Sequence, residues 1–151
     1  GRFFGARDPL PAEQRFMAFD AFIHGAQGVI FWGQEFVGAS HVAWSRLRDT
    51  VSELSRLRAI LQGEPVFRHS AGGFSEWWVR TSDAMTLFVA QETRSGGKIF
   101  QSAYDPGTAA GSSVSRWNGE AFVLDASLSS ALPFSDSQPF DAYEIRIYQF
   151  K

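Results

Sequence analysis

The apolar residues of this chain change their spacing near residue 65, and that change limits the folds open to it more than any other feature. Upstream, Phe16, Phe19, Ile23 and Ala26, with Phe22 alongside, recur at helical spacing, and Trp44, Leu47, Val51, Leu54 and Leu61 do so again further on. Downstream, short runs that alternate apolar and polar residues are separated by Gly, Pro, Asn, Asp and Ser, the pattern of antiparallel strands. Helical and strand patterns kept apart in this way predict an α/β segment over residues 1–64 and an all-β segment over 65–151, divided at Glu64-Pro65.

Within the first segment, Gly1, Gly5, Pro9 and Pro11 make residues 1–11 a loop. A helix is expected from there. Pro11 suits a first turn, where its missing N–H costs nothing, Glu13 lies near the positive end of the dipole, and Gly25 fits the left-handed position that closes a helix. Almost at once comes Val29-Ile30-Phe31-Trp32, short, without polar alternation, β-branched and aromatic, which predicts a strand buried on both faces of a parallel sheet. Gly33-Gln34-Glu35 would then sit past its C-terminal end, where α/β folds bind ligands. Ser40 is the expected N-cap of a second helix that Gly63 stops, and Arg46, Arg48, Asp49, Glu53 and Arg56 form its solvated face.

In the second segment strands are expected at 76–80, 85–91, 98–104, 114–117, 120–124 and 143–150, with a further short one at 66–68. Ser82-Asp83 and Ser95-Gly96-Gly97 close hairpins, and Asn118-Gly119 is the strongest hairpin signal in the chain. Residues 105–113 and 125–142 are expected as loops, the second punctuated by Pro133 and Pro139. Together these strands predict a small antiparallel β-sandwich.

A net charge of −2 offers no clustered positive field for nucleic acid or an anionic membrane, and neither is an expected partner. No apolar stretch approaches the roughly 18 residues of a membrane span. Cysteine is absent, which removes disulfides and thiolate chemistry while leaving a secreted or periplasmic location open. The chain starts at Gly1, so a processed or truncated N-terminus is expected. His24, His41 and His69 lack the spacing of a metal motif, and no phosphate loop, dinucleotide fingerprint or Gly-x-Ser-x-Gly occurs, so neither a metal nor a cofactor is expected. His24, next to Gly25, is expected to serve the helix end by bonding a free carbonyl.

The stretch from Pro9 to Trp32, with Pro9-Leu10-Pro11-Ala12-Glu13-Gln14-Arg15 opening a helix, then His24-Gly25-Ala26-Gln27-Gly28 and an aromatic strand, resembles the last part of a glycoside-hydrolase (β/α)₈ barrel of the β-galactosidase-like type. One departure is Leu10, where the family pattern has Thr, so the hydroxyl N-cap is missing. The second helix, with Trp44 early and Leu54, Leu57 and Leu61 late, is similar to the eighth helix of such barrels. The strands that follow look like their appended C-terminal β-sandwich, whose last strand shares the pattern of Ile145–Phe150.

The resemblance implies a fold made of the terminal αβα segment of a TIM barrel followed by the sandwich. It also implies that the catalytic carboxylates, carried on the fourth and seventh barrel strands, lie outside this chain, which alone should be inactive. Two such carboxylates are the minimum machinery of glycoside hydrolysis. What remains are candidate substrate-binding residues. Trp32 offers a stacking platform for a sugar ring or packs at the barrel rim; Gln34 and Glu35 bind sugar hydroxyls or pair with Arg7 or Arg46. Trp77, Trp78 and Trp117 form a second possible sugar face, although Trp77 and Trp78, being adjacent, must point to opposite sides of a strand. A carbohydrate is thus the expected ligand, and the rest of the barrel, or a second copy of the chain, the expected protein partner. The competing reading is a non-catalytic carbohydrate-binding or structural sandwich with a helical docking cap.

Overall fold

The computed structural model describes residues 9–31, 42–107 and 113–151. Among them are helices α1 (Pro11–Ile23), α2 (Val42–Arg56) and α3 (Arg58–Leu61), then strands β1 (Glu64–Ala71), β2 (Phe74–Arg80), β3 (Met85–Gln91), β4 (Lys98–Gln101), β5 (Val114–Trp117), β6 (Phe122–Leu124), β7 (Ser135–Phe140) and β8 (Ile145–Phe150). Six strands form one sheet in the order β1-β2-β3-β8-β5-β6, and β4 pairs with β7 in a second. Every pairing is antiparallel.

The two-residue period of β2, β3 and β8 divides their side chains between two cores. Phe74 and Trp78 of β2, Leu87 and Val89 of β3, and Tyr148 and Phe150 of β8 meet Phe100, Phe134 and Phe140 on the side of the small sheet. Trp77 and Val79, Phe88 and Ala90, and Ile145 and Ile147 point the other way, onto Phe19 and Ile23 of α1 and Leu54 and Leu57 of the helical connection. The molecule is therefore layered as helices, large sheet, small sheet. The strand buried on both faces is β3, in the centre of the large sheet.

Helix α1 begins at Pro11 as expected, and Glu13 Oε2 accepts the Leu10 N–H at 2.8 Å in place of the missing hydroxyl cap. Gly25 takes φ +99° just past its end. The second helix is interrupted at Leu57, which leaves the short α3. Ser40, its expected N-cap, lies outside the described residues.

Other expectations are corrected. Residues 28–31 form no strand, and Ile30 is 91% exposed instead of buried on both faces. A parallel strand needs neighbours for its N–H and C=O groups, and the described residues supply none for this stretch. Strand β7 lies within the expected loop 125–142; its sequence, Ser-Asp-Ser-Gln-Pro-Phe, is polar and contains Pro139, and only Asp136 and Phe140 turn inward. The Asn118-Gly119 hairpin exists, but Trp117 pairs with Phe122, so its loop is residues 118–121. Asn118 Oδ1 accepts the N–H groups of Glu120 and Ala121, both at 2.9 Å, which favours the wider loop over a two-residue turn.

Candidate functional site

Trp32, Gln34 and Glu35 lie outside the described residues, as does His41. Trp77 and Trp78 are 3% and 0% exposed, on opposite sides of the large sheet. Neither offers a ring face to a sugar. Trp78 Nε1 donates to Glu76 Oε2 and Ser102 Oγ, each at 3.2 Å, and the Arg68 guanidinium lies 4.8 Å from the Trp77 ring centroid. Trp117 is half-buried and committed to packing on Phe122 at 5.1 Å.

Two polar clusters tie the helices to the sheets. In the first, Arg15 on α1 donates through Nε and Nη2 to both oxygens of Glu53 on α2, at 2.8 and 2.7 Å, and through Nη1 to the Ile145 carbonyl of β8 at 2.8 Å. Trp117 Nε1 of β5 donates to Glu53 Oε1 at 2.8 Å. The Glu53 side chain is 9% exposed and that of Arg15 29%, so Glu53 belongs to the seam and not to the solvated face its position suggests. The arrangement is a bidentate, largely desolvated pair, the geometry in which a guanidinium is most discriminating. Above it opens a cleft of about 400 Å³ whose rim includes Arg46, Asp49, Arg56 and Glu120.

The second cluster gathers where α1 ends against β1, β2 and the residues after β3. The Asp20 carbonyl can only accept, so His24 Nδ1 donates to it, at 2.9 Å, which is the helix-end role expected of this residue. Nε2 then faces Ser70 Oγ and Ser75 Oγ, each at 3.5 Å, and Glu92 Oε1 at 3.7 Å. Ser75 donates to Glu92 Oε1, and Ser70 and Ser75 share a 2.6 Å hydrogen bond. Burial pushes the Asp20 carboxyl above its usual range and the Glu92 charge adds to this, while His24 opposes both.

A third group is internal. Asp136 is fully buried and accepts from Tyr148 Oη at 2.5 Å, Arg146 Nη1 at 2.8 Å and the Gln138 N–H at 2.9 Å. Burial pushes its carboxyl up, but the bonds from Tyr148, Gln138 and Arg146 outweigh it and hold the group below the ordinary value. Burial and the bond to Asp136 together push the Tyr148 phenol up. These groups join β7 to β8 and face the core.

Neither Glu53 nor Glu92 stood out in the sequence. Glu53 was hidden among the charges of an amphipathic helix, and Glu92 adjoins the end of a strand with no motif around it. Compared with known families, curated proteins and solved structures, the chain matches none of them. No helix among the described residues is long and apolar enough to cross a membrane.

Proposed function

We propose that the chain is the C-terminal segment of a glycoside hydrolase, cleaving the glycosidic bonds of an oligo- or polysaccharide only when joined to the barrel strands that carry the catalytic carboxylates. In this reading α1 and α2 are barrel helices, and the two sheets are the appended β-sandwich. The residue pattern of 9–32 motivates it. The observation that carries it is an apolar surface that the described residues leave uncovered beside the helices. Phe22, Val29, Phe31, Val51, Leu54 and Leu61 line a groove of about 380 Å³, with Ile30, Met17 and Val42 exposed as well. Apolar surface of this kind on helices that already cover a sheet is what further barrel elements would bury.

The second reading, a non-catalytic module with a helical cap, is favoured by one feature. The Arg15, Glu53 and Trp117 seam fixes the cap onto the sheets through side chains of both segments. The two readings separate in a titration of the isolated chain with oligosaccharides, followed by tryptophan fluorescence and size-exclusion chromatography. The hydrolase-segment reading expects no saturable change, because Trp77 and Trp78 are buried and Trp117 is packed, together with self-association through the open groove. A saturable change from a monodisperse sample would instead establish a binding module.

A further inference from the structure

At the second cluster the ligating atoms of three side chains converge. Asp20, His24 and Glu92 each place one ligating atom within 4.8 Å of the other two. His24 spends its Nδ1 proton on the Asp20 carbonyl, so in the neutral ring the lone pair sits on Nε2, which looks toward Glu92 Oε1 at 3.7 Å. The hydroxyls nearby do not relieve this. The Ser75 proton goes to Glu92, and Ser70 bonds Ser75 at 2.6 Å, far closer than its 3.5 Å approach to Nε2. Asp20 Oδ1 is sealed from solvent and receives no hydrogen bond, although His24 Nδ1 lies 3.2 Å away, because that N–H is directed at the backbone.

We propose that Asp20, His24 and Glu92 bind a divalent transition-metal ion of the zinc class, with His24 Nε2 and one oxygen of each carboxylate as ligands. The donor set fits such an ion: an imidazole selects it over calcium and magnesium, and two carboxylates neutralise its charge. The ring is already oriented as metal-bound imidazoles usually are, with its other N–H donated to a carbonyl. Ser75 is placed to hold Glu92 from behind. Ligand bonds of about 2.0–2.2 Å require the three atoms to draw in to about 3.3 Å of one another, a movement these partly exposed side chains can make by rotation. Three protein ligands leave the remaining positions to water. The site clamps the end of α1 to the turn after β3, and it is separate from the carbohydrate reading.

The test is a titration of the chain with Zn²⁺ in a non-chelating buffer at neutral pH, by calorimetry and thermal melting. The expected result is one ion per chain, a rise in melting temperature reversed by EDTA, and an affinity lowered about 10-fold or more in both His24→Gln and Glu92→Gln. Circular dichroism shows whether each variant is folded, and either folded variant suffices. Absence of saturable binding up to about 1 mM Zn²⁺, or binding that a folded variant leaves unchanged, would overturn the assignment. The same holds for a site filled by a proton, in which His24 stays doubly protonated by NMR and Zn²⁺ fails to displace that proton.

Discussion

Replacing Glu53 with Ala should unseat the helices from the sheets. Its carboxylate accepts three hydrogen bonds, two from the Arg15 guanidinium and one from the Trp117 indole. Bonds to a charged group contribute about 1.5–3 kcal/mol each, which would put the total at several kcal/mol. Two features reduce it. The Arg15 side chain is 29% exposed and can regain water, and it keeps its bond to the Ile145 carbonyl. The Trp117 N–H, half-buried, loses its partner and carries a desolvation penalty of about 1–3 kcal/mol. The net loss for Glu53→Ala should be about 3 kcal/mol, at the lower edge of what breaking a buried pair costs. Glu53→Gln should cost about 2 kcal/mol: its oxygen can serve Trp117 and one guanidinium N–H, but its amide nitrogen then faces the other as donor against donor. Urea unfolding followed by tryptophan fluorescence measures both, and the Trp117 indole N–H resonance reports the local change. The double variant Arg15→Met, Glu53→Leu should recover only the part due to the unpaired Arg15 charge, since the Trp117 N–H still lacks its acceptor and the Ile145 carbonyl loses its donor. A loss below about 1 kcal/mol for Glu53→Ala would refute the reasoning, because it would make the pair an ordinary surface ion pair.

Other outcomes follow from the two cores and the internal carboxylate. Phe19→Ala, which removes a fully buried ring stacked 6.3 Å from Phe88 between α1 and β3, should cost about 3–5 kcal/mol by urea unfolding. The same variant should raise binding of a hydrophobic dye by uncovering the large sheet. Asp136 has a folded-state pKa below its ordinary value of 3.8, so the unfolded chain binds its proton more readily. Its contribution is complete above the unfolded pKa and is lost as pH falls from about 4 through the depressed folded value. Asp136→Asn should therefore flatten the acid limb of a stability-against-pH curve and cost about 2–3 kcal/mol at neutral pH, where Arg146 loses its buried partner. An acid limb identical to that of the parent protein would exclude Asp136 as its source.

How far the sequence carried depends on which force sets each element. The limits of β3 and β5 and both ends of α1 were legible, because the flanking turn residues Ser82-Asp83, Ser95-Gly96-Gly97 and Asn118-Gly119, Pro11 and Gly25 act locally. Strand β7 was not: its six residues include Pro139 and only two inward side chains, and it is held by pairing with β4 and by the bonds to Asp136. Residues 28–31 show the reverse case, a composition suited to a strand with no partner strand among the described residues, so pairing overrode propensity. Of the candidate site, the helix-end role of His24 could be read from its neighbour Gly25. Its approach to Glu92 across 68 residues (92 − 24) could not, since it arises from the turn after β3 reaching the end of α1. Trp77 and Trp78 did follow the rule that adjacent strand residues face opposite ways. Burial of both followed from covering the sheet on both sides, which periodicity alone does not foresee.

The most direct test of the carbohydrate reading is aglycone release from a panel of aryl glycosides. It compares this chain alone with a longer polypeptide in which the proposed missing barrel elements precede Gly1. The account predicts release by the longer polypeptide only, abolished when either barrel carboxylate is changed to its amide. Release by residues 1–151 alone, or no release by the longer polypeptide on any glycoside, would contradict it.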